Sequence, residues 1–187
     1  MPTKHHTPNL LKGNTMTLTQ EEAHRLFEYK DGVLFWKEQL VSNFPTHSDH
    51  KRWTTRFANK QAGSCAGIYV NVSVKNVRHQ VHRIIFLMHH GYMPKIVDHI
   101  NGKTQDNRIE NLRAATHTEN LRNCKIPKTN TSGYKNVVWH SQRKKWNVRL
   151  TINHKNTSFG LYDDIELADL VAQEVRNKYF GSFARNF

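Results

Sequence analysis

Hydrophobic and polar positions change period several times along the chain, and each change marks an element. Ala23, Leu26 and Phe27 recur at helical spacing behind Thr19 and Glu22, which have capping-box separation, so a short helix is predicted there. The turn pair Asp31-Gly32 then leads into the apolar run Val33-Leu34-Phe35-Trp36. From Lys37 to Gln61 no period stands out, and the segment reads as loop. Beginning at Ala66, Ile68, Val70, Val72 and Val74 alternate with Tyr69, Asn71, Ser73 and Lys75, the period of a half-buried strand. Lys75-Asn76 suits a hairpin turn. Val81 to His90 is apolar around most of its circumference and stops at Gly91, as a short buried helix does. Residues 1–16 are polar, carry two prolines and show no period; they read as a flexible lead.

A further region runs from Ile96 to about Asn123. Asp98-His99 ends an apolar strand, and Asn101-Gly102 turns the chain. Neighbouring side chains on a regular strand point to opposite faces, so these two serve one site only where the strand ends or twists. Thr116 and Glu119 have capping-box spacing, which predicts a helix with Asn120 in its first turn, beside unpaired N–H groups and partial positive charge. Residues 125–131, with Pro127, read as a linker.

The last unit separates its charges. Residues 131–162 hold Lys135, Arg143, Lys144, Lys145, Arg149 and Lys155 and no acid, while 163–187 hold five acids. The first part reads as three strands, with Trp146, Val148, Leu150 and Ile152 on one face and Lys145, Asn147, Arg149 and Thr151 on the other. The second reads as a helix with Ile165, Ala168, Ala172, Val175 and Tyr179 on one stripe. A sheet buried on an acidic helix turns its cationic side to solvent, where DNA could lie.

Composition narrows the classes. The 187 residues carry a net charge of +13, which favours polyanionic partners. Aromatics at 10% are too many for a disordered basic tail. The longest apolar run, Ile84 to Met88, is far below the ~20 residues that span a bilayer. Cys65 and Cys124 cannot form a disulfide framework or a four-cysteine zinc site. The expectation is a soluble, cytoplasmic, monomeric protein without membrane association or an organic cofactor.

Asp98-His99, an Asn-Leu twelve residues after the histidine and an Asn 21 residues after it resemble the ββα-metal motif of the HNH endonucleases. The branch it resembles is that of phage and intron-homing enzymes, whose last position is Asn. The resemblance implies that His99 is the general base, that Asp98 and Asn120 hold one divalent ion (Mg²⁺, with Mn²⁺ as the alternative), and that Asn111 orders the loop orienting His99. The residue types suit those roles. Imidazole with an ordinary pKa near 6.5 accepts protons at neutral pH, and Mg²⁺ prefers oxygen ligands. Arg108 and Arg113 either contact phosphate or pair with Glu110. His82, His89 and His90 read as packing residues of the buried helix.

Ser132-Gly133-Tyr134-Lys135-Asn136-Val137-Val138-Trp139, then Lys145 to Leu150, Phe159 to Asp163 and Phe180 to Ala184, resemble the AP2 DNA-binding domain. That resemblance implies a contact set of Lys135, His140, Arg143, Lys145, Asn147 and Arg149; Asn136 stands where the family has Gly. Trp146 reads as core, while Trp139 fits either core edge or DNA face.

The expected fold class is α+β, with an HNH domain over 17–124 (its ββα motif at about 94–124) and an AP2-like domain over 132–187. The expected function is metal-dependent hydrolysis of duplex DNA by a homing-type endonuclease. Its main rival is a non-catalytic DNA-binding regulator.

Overall fold

The structure, a computed structural model, describes residues 18–186, so the flexible lead expected over 1–16 lies outside the described residues. Among the described residues, five α-helices and four small antiparallel sheets make a mixed α+β fold, and the chain divides into two compact units, 1–93 and 94–187.

In the first unit, α1 (Gln20–Leu26) starts at Thr19, whose hydroxyl accepts the Glu22 N–H at 3.1 Å. The hairpin β1 (Phe27–Lys30) and β2 (Val33–Trp36) follows, with Asp31 and Gly32 both at positive φ. The segment expected as loop contains a 3₁₀ turn (Val41–Asn43) and a full helix, α2 (His47–Phe57), capped by Thr46. His50, Trp53 and Phe57 do recur at helical spacing. Their apolar partners, Trp36 and Phe44, lie outside the helix, so a local window shows little of its buried face.

The strand expected from Ala66 is two strands: β3 (Ser64–Ala66) and β4 (Tyr69–Val74). Gly67 turns the chain between them at φ +78°, leaving Ile68 64% exposed. The Lys75-Asn76 turn, both residues at positive φ, joins β4 to β5 (Val77–Gln80). The helix α3 (Val81–His90) ends at a left-handed Gly91, as the pattern predicts. Ala23, Phe27, Leu34, Ile84, Ile85 and Phe86 are buried in this unit.

In the second unit, β6 (Ile96–His99) pairs with β7 (Leu112–Ala115), and α4 (His117–Arg122) follows at once. A three-stranded sheet of order β10-β9-β8 is built from β8 (Val137–His140), β9 (Lys145–Ile152) and β10 (Lys155–Tyr162). It packs on α5 (Ile165–Phe180) through Val137, Val148, Leu150, Ala168, Ala172 and Phe180. Asn136 adopts φ +69°, a left-handed conformation that Asn tolerates better than most residues, so it can stand where Gly is usual.

The helical stripe is rotated from its expected position. Tyr179 is largely exposed, while Arg176 (0% exposed) and Phe180 complete the buried row. Arg176 enters the interior because its donors find partners there, the Lys135 carbonyl and Asn186 Oδ1 (2.8 Å). By compact packing the division falls after Met93, and the elements from β6 to α5 lie in one unit.

Candidate functional site

The site is built where β6 ends. Asp98 faces Arg113 across the ladder and His99 faces Leu112, and both Asp98 (6% exposed) and His99 (4%) are buried. Beyond His99 the chain leaves the ladder, with Gly102 N–H donating to the His99 carbonyl at 2.8 Å.

The loop from Ile100 to Arg108 is organised by amides. Asn111 Oδ1 accepts the Asn101 N–H (2.9 Å), and Asn111 Nδ2 donates to Asn101 Oδ1 (3.1 Å) and the Asp106 carbonyl (2.7 Å). Arg108 donates to both Asp106 oxygens at 2.8 and 2.9 Å, holding that carboxyl well below the usual carboxylate range. The imidazole itself is held by Asn107, whose Oδ1 lies 3.0 Å from His99 Nε2. Asn107 is buried, and the spacing analysis did not single it out. An amide oxygen in this place accepts a hydrogen carried on Nε2, so the contact orients the ring.

Around Asp98 the structure brings together residues that the sequence did not. Asn123 Nδ2 donates to both carboxylate oxygens (3.0 Å each) and to the His99 carbonyl (2.8 Å). Arg113 Nε donates to Oδ2 at 2.8 Å, with Nη2 at the same distance. Asn120 lies three residues before Asn123 on the same helical face of α4, half-buried, its own N–H closing the first turn on the Thr116 carbonyl. The cap is a full box: Thr116 accepts the Glu119 N–H, and the Thr116 backbone and hydroxyl donate to Glu119, lowering its carboxyl pKa.

Arg113 is fully committed within the protein. Besides Asp98 it donates to the Ser182 carbonyl (2.6 Å) and stacks 3.7 Å from the Phe183 ring centroid, so its carboxylate partner is Asp98 and not Glu110. Arg108 remains half-exposed, near both Asp106 and Glu110. From the same C-terminal segment, Arg185 donates to the Asn123 carbonyl at 3.3 Å. Its guanidinium also fills the space beside Gly102, where a Cβ would fall 1.8 Å from Nη1.

The donors suit a hard divalent cation: one carboxylate and neutral amide oxygens. Asp98 Oδ1 accepts from the Asn123 amide, while Oδ2 also faces Arg113, so Oδ1 is the less engaged of the two carboxylate oxygens. Among the described residues no three His, Cys, Asp or Glu side chains cluster, so one carboxylate carries the charge of the set.

The contact set expected on the sheet divides in two. On the face away from α5, Arg149 is exposed beside Thr151, and Arg143 and Lys144 project from the turn before β9. His140 lies on that face half-buried, its Nδ1 accepting the Arg143 N–H at 3.3 Å. The others have internal partners. Lys145 pairs with Asp163 at 2.9 Å, and Asn147 is buried, accepting from the Ser158 hydroxyl at 2.6 Å. Lys135 leaves the sheet face altogether, donating to the carbonyls of Arg122 and Cys124 at 2.7 Å each. Burial, with Arg176 and Arg185 nearby, lowers its pKa to about 8. Trp139 stays half-exposed at the sheet edge, its ring centroid 4.9 Å from that of Trp146.

Residues 79–122 match the HNH endonuclease family. Protein 3.8 of Escherichia phage T7 is 36% identical over 97 residues, which cover 51% of this chain and 79% of that protein. No solved structure matches. No helix among the described residues is long and apolar enough to cross a membrane.

Proposed function

Because the chain belongs to the family of Escherichia phage T7 Protein 3.8 and carries an HNH endonuclease segment at residues 79–122, we propose that it hydrolyses phosphodiester bonds in duplex DNA. One observation carries the reading. A buried histidine at a strand end, inside the segment that matches the HNH endonucleases, has its Nε2 held by the Asn107 amide oxygen.

In this mechanism His99 Nδ1 takes the proton of the attacking water. The ring then becomes imidazolium, with its second N–H already held by Asn107, so the new charge is met by an oriented dipole. Asn111 holds the loop that carries Asn107. Asp98, with Asn120 or Asn123, would hold the divalent ion, Mg²⁺ or Mn²⁺. Such an ion, when bound, supplies neutralisation of charge on the phosphorus and the leaving 3′ oxygen. Arg149 and Arg143, with His140 beside them, dock duplex DNA on the sheet in the manner of an AP2-like reader, Arg149 reaching a base edge. One such site cuts one strand. A phage relative is in keeping with action on DNA in the cytoplasm of an infected cell, as a mobile, homing-type enzyme would act.

The rival reading, a DNA-binding regulator with an inert HNH scaffold, draws on the same geometry: Asp98 is already engaged by Arg113 and Asn123. Supercoiled plasmid with Mg²⁺ separates the two. The nuclease yields relaxed circles that disappear with EDTA and form about 10²- to 10⁴-fold more slowly in His99→Ala, at unchanged DNA affinity. Tight binding without nicking would establish the regulator instead.

A further inference from the structure

We propose that the outer face of α2 is a second binding surface for the DNA sugar–phosphate backbone, separate from the sheet; it rests on the reading of the protein as a duplex-DNA enzyme. The helix is two-sided. His50, Trp53 and Phe57 turn inward against Phe44 and Trp36, with ring centroids 5.3 to 5.9 Å apart. Ser48, Lys51, Arg52, Thr55 and Arg56 occupy the steps i, i+3, i+4, i+7 and i+8, and all five are exposed. These same five side chains line a shallow groove of about 330 Å³.

Three cations therefore stand on one stripe that contains no acid. Asp49, the single acid of the helix, is turned to the cap, where the Thr46 hydroxyl donates to it at 2.7 Å, and it reaches Arg52 only at 3.7 Å. Arg52 keeps 76% of its side chain exposed. From Lys51 to Arg56 the helix rises about 7.5 Å at ~1.5 Å per residue. Successive phosphates of one strand are about 3.4 Å apart along the duplex axis, so the stripe matches a run of about three. The Ser48 hydroxyl adds a neutral donor, while Thr55 spends its own on the Lys51 carbonyl at 2.9 Å. Nothing in the stripe is arranged to read a base, so the contact adds affinity without sequence preference.

The test replaces Lys51, Arg52 and Arg56 together by Gln, which retains helix propensity, in the full chain, with circular dichroism confirming the fold. Binding to a duplex DNA of mixed sequence is measured from 50 to 200 mM salt. Loss of three phosphate contacts lowers the magnitude of the log–log salt slope by about 2–3 and weakens binding to all sequences equally. A wild-type protein that binds DNA with a slope the variant reproduces overturns this inference while leaving the proposed function intact. A wild-type protein that fails to bind DNA overturns both. Stronger competition by duplex RNA than by duplex DNA, lost in the variant, assigns the surface to RNA and overturns the inference as stated.

Discussion

Asn107 Oδ1 lies 3.0 Å from Nε2 of His99, and this contact fixes the orientation of the imidazole. Removing the amide frees the ring to rotate and to exchange tautomers without removing the base. Outer partners of this kind typically cost about 10- to 100-fold when deleted. Asn107→Ala should therefore lower the single-turnover nicking rate by about that factor at unchanged DNA affinity, read by quenched-flow and filter binding. An equal fall in both would show that Asn107 only stabilises the loop. Asp98, His99 and Asn111 were legible in the sequence because their spacing matches a known constellation. Asn107 and Asn123 were not, since an Asn in a polar loop and another past a short helix carry no local sign that they converge on β6.

The short helix α4 owes its C-terminal end to a distant lysine. Lys135 donates to the carbonyls of Arg122 and Cys124, groups a six-residue helix leaves unpaired. The price is a cation buried beside Arg176 and Arg185, and burial foremost lowers its pKa to about 8, against 10.5 ordinarily. Between about pH 8 and 10.5 the unfolded chain thus binds more protons at this position than the folded one. Stability contributed by this group accordingly rises across that window, because the buried ammonium is relieved of its charge. The melting temperature of wild type minus that of Lys135→Met should increase from pH 8 to 10.5 in parallel calorimetric scans; a constant difference would contradict the burial argument. The AP2 resemblance put Lys135 in the DNA-contact set. The left-handed Asn136 beside it bends the strand path, and the side chain turns to the Arg122 and Cys124 carbonyls.

Residues 94–187 form one compact unit in which the C-terminal segment supports the candidate site directly. Ser182 and Phe183 hold Arg113, Arg113 holds Asp98, and Arg185 sits against Gly102 and the Asn123 carbonyl. A buried ion pair that loses its supports leaves a charge uncompensated, which costs about 3–5 kcal/mol when one partner is removed outright. A chain ending at Phe180 should therefore lose most nicking activity, and hydrogen exchange at the β6 amides should accelerate while those of β4 in the first unit keep their protection. Unchanged β6 protection would mean that the ββα segment stands alone. Such dependence suits an enzyme whose DNA docking and cutting must be geometrically linked.

Periodicity and short-range signals were enough for the helices at 20–26, 81–90, 117–122 and 165–180, for the hairpin turns at Asp31-Gly32 and Lys75-Asn76, and for the three-stranded sheet, because those preferences act between residues a few positions apart. The positions of Asp98, His99 and Asn111 were likewise readable in the order of residues. Partnership was not. The burial of Arg176, the internal partners of Arg113, Lys145 and Asn147, and the meeting of Asn123 with Asp98 arise when segments far apart in the chain pack together. A long polar side chain takes whichever partner desolvation makes most favourable, and that partner exists only once the whole unit has closed around it.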